Sequence, residues 1–197
     1  MGYPITFQPQ LGRGTPVPGA QQGSRDCGPR TGQMGIDGQV NRIVSIPDLR
    51  KRMHAPGPQV TNVFDMKRGV ESYRFRGRLP MSYTIRTVMS EVRAAVANGR
   101  YVHICLDYGM FNALPGRTGD PNFEGGHSVG IRGQRWNARL KRVEWKLYDP
   151  LDDHRRPEIP QGPRWVARSK VQKAAEAFAR ANGRCYAGIF GGGQLRK

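Results

Sequence analysis

The sequence is poor in cysteine and in acidic residues, and it has no long apolar run. Three cysteines stand at positions 27, 105 and 185 of 197 residues. An odd number at wide spacing is not a disulfide framework, and it lacks the paired spacing of a zinc site. Neither a metal nor a cofactor is expected. No stretch approaches the roughly 20 consecutive apolar residues that cross a bilayer, so no membrane span is expected. The start, MGYPITFQPQ, has no basic region followed by an apolar stretch, so no secretory signal is expected. Gly2 and Thr6 meet the loose myristoylation pattern, but Tyr3 and Pro4 fit it poorly, and chance agreement is the better reading. Location is therefore left open. Acids are outnumbered: 15 Asp and Glu face 32 Lys and Arg, for a net charge of +17. The excess is scattered along the chain, with no zinc-finger spacing or RNA-recognition signature beside it. It implies an anionic neighbour without choosing among nucleic acid, an acidic protein surface and an anionic cell-wall polymer.

What is present is glycine and proline, 26 and 15 of them, in a chain long enough for one domain with a real core. Residues 1–20 read as an extended Gly/Pro-rich arm, residues 21–190 as the domain, and residues 191–197 (GGGQLRK) as a tail. Arms of this kind suit packing against neighbouring subunits.

Within the domain a short helix is expected after Cys27, weakened by Gly32, Gly35 and Gly38. A second is expected in SIPDLRKRM, where Ser45 can cap, Pro47 suits the first turn and Asp48 favours the positive end. Residues 56–80 read as loop, with a short strand around Val60–Phe64. In SYTIRTVMSEVRAAVANG, the residues Val88, Val92, Ala95 and Val96 recur at helical spacing, and Asn98-Gly99 is a stop. YVHICLDYG, HSVGIRGQRW and RVEWKLYDP then read as strands. Val143, Trp145 and Leu147 alternate with polar residues, as on a half-exposed strand. SKVQKAAEAFARANG reads as a helix ending at Gly183, and CYAGIF as a closing strand. Helices first, then a mostly antiparallel sheet with a late helix, make an α+β arrangement.

Cys105 and Cys185 lie in apolar runs, where cysteine behaves as a small core residue. Cys27 has polar and turn-forming neighbours, in AQQGSRDCGPRTG. A cysteine nucleophile needs a lowered thiol pKa, a base, a group orienting the base, and oxyanion donors. Cys27 at a helix start would gain from unpaired backbone N–H groups. His127 follows Gly125-Gly126, so little side-chain bulk crowds its approach. Asp149 ends the next strand. If these strands are antiparallel neighbours, the start of one lies beside the end of the other, and Asp149 reaches His127. Asp152 and Asp153 are rival orienters. Gln21, six residues before Cys27, can offer an amide to an oxyanion, and Gln22 rivals it. His103 reads as a satisfied core or surface residue, His54 and His154 as solvated. Trp136, Trp145 and Trp165 read as core or rim residues.

These motifs, Q-GSRD-CGP, then GGHSVGI, then LYDP, preceded by MSEVRAAVANGRYVHICLDYG, resemble the papain-like cysteine peptidases. The resemblance runs from about Gln21 to Phe190 and is greatest to the bacteriocin-processing type that cuts double-glycine leaders. It implies a papain-like fold, with Cys27 as nucleophile, His127 as base and acid, Asp149 as orienter and Gln21 rather than Gln22 as oxyanion donor. The glycines after Cys27 and the N-terminal arm depart from the family pattern. The expected function is therefore hydrolysis of a peptide or amide bond. A phage-encoded, virion- or tail-associated enzyme acting on peptidoglycan peptides would suit the charge and the arms. Two alternatives stand beside it. One is a structural protein of such an assembly that keeps the fold without turnover; the other is a basic nucleic-acid-binding module.

Overall fold

The computed structural model describes residues 26–57, 60–112, 125–150, 163–183 and 187–193. The arm, the tail beyond residue 193, Gln21 and Gln22 lie outside them, as do Asp152, Asp153, His154 and Cys185.

Three helices come first: α1 (Cys27–Val40), α2 (Ile46–Arg52) and α3 (Val63–Glu71). The α2 start follows the expected chemistry, with Ser45 Oγ accepting from the Asp48 N–H and proline in the first turn. At residues 60–64, where a strand was expected, the chain instead begins α3. Asn62 and Asp65 form a reciprocal capping box there, and Val63, Met66 and Val70 bury one helical face. The sequence next expected as one helix divides in two. Its first part is strand β1 (Ser82–Arg86) and its second is α4 (Met89–Ala97). Val88 is the residue before α4 and is exposed, while Val92, Ala95 and Val96 are buried as expected.

After α4 come β2 (Val102–Asp107), the short α5 (Tyr108–Asn112), β3 (Gly126–Asn137) and β4 (Arg142–Tyr148). Then follow β5 (Arg164–Ala167), which was not anticipated, α6 (Arg168–Asn182) and β6 (Ala187–Gly191). Among the described residues the strands form one sheet in the order β1-β6-β2-β3-β4-β5, every pair antiparallel.

Alternation along β2 explains how both faces are covered. Val102, Ile104 and Leu106 join α4 and α6 in one core, together with Val129, Ile131, Trp145 and Leu147. Tyr101 and Cys105 point the other way, toward α1, α2 and α3 with Tyr83, Tyr148 and Phe190. β4 is less exposed than its pattern suggests. Glu144 is buried because Arg135 and Arg142 both close on its carboxylate, each at 2.8 Å. No helix among the described residues is long and apolar enough to cross a membrane.

Helix α1 forms where a short helix was expected, but the glycines do not shorten it. It runs unbroken for 14 residues and is buried along nearly its whole length. Its glycines are contact points. A Cβ on Gly28 would strike Thr61 Oγ1, one on Gly32 would lie 2.6 Å from Met66 Sδ, and one on Gly35 would lie 2.5 Å from the Phe190 ring. A helix threaded between two other helices and a sheet needs such thin places, and burial outweighs their low helix propensity.

Candidate active site

Cys27 is the first residue of α1, and that helix end is fixed from outside. Asp26 does not cap with its side chain. Its carboxylate instead accepts from Arg50 at 2.6 Å, and Arg50 also donates to the carbonyls of Ala55 and Gly57. Further along, Thr31 Oγ1 donates to the Ser128 carbonyl at 3.2 Å, and the Tyr101 hydroxyl donates to the Thr31 carbonyl at 3.2 Å. These bonds pin α1 to β3 and to the residue before β2, one turn beyond the cysteine.

The Cys27 thiol itself meets Ser128, through both its backbone N–H and its hydroxyl, and the N–H of Gly28. Ser128 is the residue after His127. The thiol therefore sits beside the residue adjoining the expected base. Its acidity runs against expectation. Cys27 is half-buried as a residue, yet burial is the largest influence on its thiol and pushes the pKa above the ordinary value. The hydrogen bonds from Ser128 and Gly28 pull downward without overcoming it, and the nearby Asp26 carboxylate adds to the rise. A helix start alone does not make this thiol acidic.

His127 and Asp149 meet as strand pairing implied. β3 and β4 are antiparallel, with Gly130 opposite Tyr148, so the start of one lies beside the end of the other. His127 Nε2 and Asp149 Oδ1 are 2.9 Å apart, with side chains only 3% and 0% exposed. The second carboxylate oxygen, Oδ2, accepts from Arg164 at 2.9 Å. Tyr108 stands edge-on to the His127 ring, with centroids 5.6 Å apart. The glycine before His127 serves packing more than access, because a Cβ on Gly126 would strike the Phe178 ring of α6.

His103 is a core residue. It shares a 2.5 Å hydrogen bond between Nδ1 and the Tyr83 hydroxyl, and burial lowers its pKa to about 4. Cys105 lies between His103 Nε2 at 3.7 Å and Ser128 Oγ at 3.8 Å. His54 is exposed. Trp145 is fully buried, Trp136 is exposed, and Trp165 lies under the Arg135 guanidinium at 4.5 Å.

Three residues of this site were not singled out from sequence: Ser128, Tyr108 and Arg164. Ser128 and Tyr108 each sit inside a strand motif or at its end, where nothing in the residue type signals a role. Arg164 belongs to the unanticipated β5, and only the pairing of Leu147 with Arg164 brings it near the end of β4.

No family model matches the chain, and neither does any curated protein sequence. Among solved structures, one that matches is the crystal structure of a Bacillus anthracis protein, provisionally described as a C39-like peptidase. The two are 12% identical with a TM-score of 0.58, covering 98% of this chain and 96% of that one. The chain has a papain-like fold. Helices packed on an antiparallel sheet are what the sequence motifs led one to expect, and the likeness at this identity concerns the fold alone.

Proposed function

We propose that this chain is a cysteine peptidase or amidase in which Cys27 is the nucleophile, His127 the general base and acid, and Asp149 its orienter. The observation that carries the reading is the buried 2.9 Å bond between His127 and Asp149, with the Cys27 thiol seated on the adjoining Ser128. Asp149 accepting from Nε2–H assigns Nδ1 to proton exchange with the thiol. Because burial raises the thiol pKa, the resting thiol is neutral. When a carbonyl is bound, Nδ1 takes the thiol proton as sulfur attacks the carbonyl carbon. The oxyanion is met by backbone N–H groups at the start of α1 and by the side-chain amide of Gln21. The tetrahedral intermediate expels the amine, which takes its proton from His127. Water then attacks the thioester with His127 as base, releasing the acid and restoring the thiol.

The substrate class is a peptide. Two narrower substrates fit: a double-glycine leader peptide, from the sequence resemblance, and a peptidoglycan stem peptide, from the net charge of +17 facing an anionic wall. Virion or tail association belongs with the second. Cys27→Ala should abolish hydrolysis of whichever peptide the wild type cleaves, and iodoacetamide should inactivate the wild type. Full-rate turnover by Cys27→Ala would refute the assignment. The raised thiol pKa favours one rival, an assembly protein that keeps the fold without turnover. That reading gains if the folded wild type cleaves neither peptide and Cys27 stays unlabelled at pH 8. The charge alone motivates nucleic-acid binding, which would weaken steeply with added salt.

A further inference from the structure

Asp149 is buried to the last ångström of its side chain, and it is ionised only if something compensates the loss of water. His127 occupies Oδ1. Arg164, itself 13% exposed, occupies Oδ2 from the first residue of β5. The three side chains thus form a line, His127 to Asp149 to Arg164, with both links at 2.9 Å. We propose that Arg164 is a positioning residue of this site, which holds Asp149 ionised and aimed so that His127 keeps its Nε2–H toward the carboxylate. The proposal rests on the reading of His127 as the base.

The direction of the effect follows from charge. A guanidinium at one end of the pair opposes adding a proton at the other. His127 and Asp149 share a buried hydrogen bond, so a cation at one end should lower the pH at which the pair takes up a proton. Among the described residues, the groups that contact the pair include Arg164 from β5 and Tyr108 from α5, and the Cys27 thiol of α1 lies at Ser128, the residue after His127. From α6 it is the apolar Phe178 ring that packs at Gly126. Without Arg164 the pair would hold its proton at higher pH, and His127 would already be protonated when the thiol needs a base.

The test is NMR of the His127 ring nitrogens across a pH titration, in the full chain carrying Arg164→Gln or Arg164→Lys. Arg164→Gln should move the midpoint of proton uptake upward by about one unit or more, a tenfold change in proton affinity, and should mix the ring tautomers. Arg164→Lys keeps the charge and should restore a midpoint close to that of the wild type. A merely structural arginine would leave the midpoint of a folded Arg164→Gln variant where it was, and that result overturns the proposal. The wild-type chain gives a second reading if Arg164→Gln does not fold. Its Asp149 carboxyl carbon should keep the shift of an ionised acid from pH 8 down to pH 4. A protonation step of that carbon within this range overturns the proposal as well. None of these measurements involves turnover, so an inactive enzyme and a non-coupled Arg164 are told apart.

Discussion

Gly35→Ala separates the reason for the glycines in α1 from their helix propensity. On propensity alone the change should stabilise a helix interior by about 1 kcal/mol. The surroundings oppose this. The new methyl carbon would lie 2.5 Å from two atoms of the Phe190 ring and 2.8 Å from a third. That ring cannot step aside, because it is edge-on between Tyr83, at 5.1 Å, and Tyr101, at 5.2 Å, and is fully buried. Overpacking of a rigid core costs about 1 to 3 kcal/mol. A methyl 2.5 Å from a ring so held belongs in the upper part of that range, about 2 to 3 kcal/mol, which leaves a net loss of about 1 to 2 kcal/mol after the propensity gain, so the sign itself is at stake. Gly32→Ala is the comparison within the same helix. Its methyl would meet Met66 Sδ at 2.6 Å, the far part of a flexible side chain that can rotate away. Gly32→Ala should therefore lie at least about 1 kcal/mol above Gly35→Ala in stability. Gly109→Ala, whose methyl meets nothing nearer than Asp107 Oδ1 at 3.5 Å, should be close to neutral. Urea unfolding measures all three. With a slope of about 2 kcal/mol per molar, the Gly35→Ala midpoint should fall by roughly 0.5 to 1 M. A Gly35→Ala protein as stable as the wild type, or more so, would refute the packing account of α1.

Two more outcomes follow from the buried titratable groups. His103 is held at about pKa 4 in the folded chain and returns to about 6.5 when unfolded. Below pH 6.5 the unfolded chain binds a proton that the folded chain refuses, so stability falls as pH drops from 6.5 toward 4, by on the order of 3 kcal/mol. His103→Gln should flatten that part of the pH dependence in urea unfolding, and an unchanged slope would refute the assignment. The Cys27 thiol, raised by burial, should be labelled slowly at neutral pH once its base is removed. In His127→Ala, iodoacetamide labelling of the Cys27 peptide, followed by mass spectrometry, should rise about tenfold per pH unit through pH 9. A labelling rate in that variant that is already maximal at pH 7 would show the thiol to be acidic without His127.

The parts of the site that were legible in the sequence share one property: their placement follows from strand pairing or from a helix start. His127 and Asp149 sit at the two ends of consecutive strands, and antiparallel pairing alone brings such ends together. Cys27 opens a helix because a Gly-Pro step follows it and α1 begins there. What was not legible depends on a third neighbour. The residues from Asn62 onward form a helix because a capping box starts it and its buried face matches α1 and α2, neither of which shows in a loop-rich composition. The glycines of α1 read as helix breakers until Thr61, Met66 and Phe190 are seen against them. Arg164 belongs to the same class, since its role exists only once β5 lies beside β4. The expectation that a helix start would acidify Cys27 failed for a related reason. Backbone N–H groups from Gly28 and Ser128 do reach the sulfur, but the sheet and helices that supply Ser128 also remove water from it, and the second effect is larger. In the proposed mechanism the Cys27 thiolate depends on His127, and His127 depends in turn on a carboxylate that also accepts from Arg164.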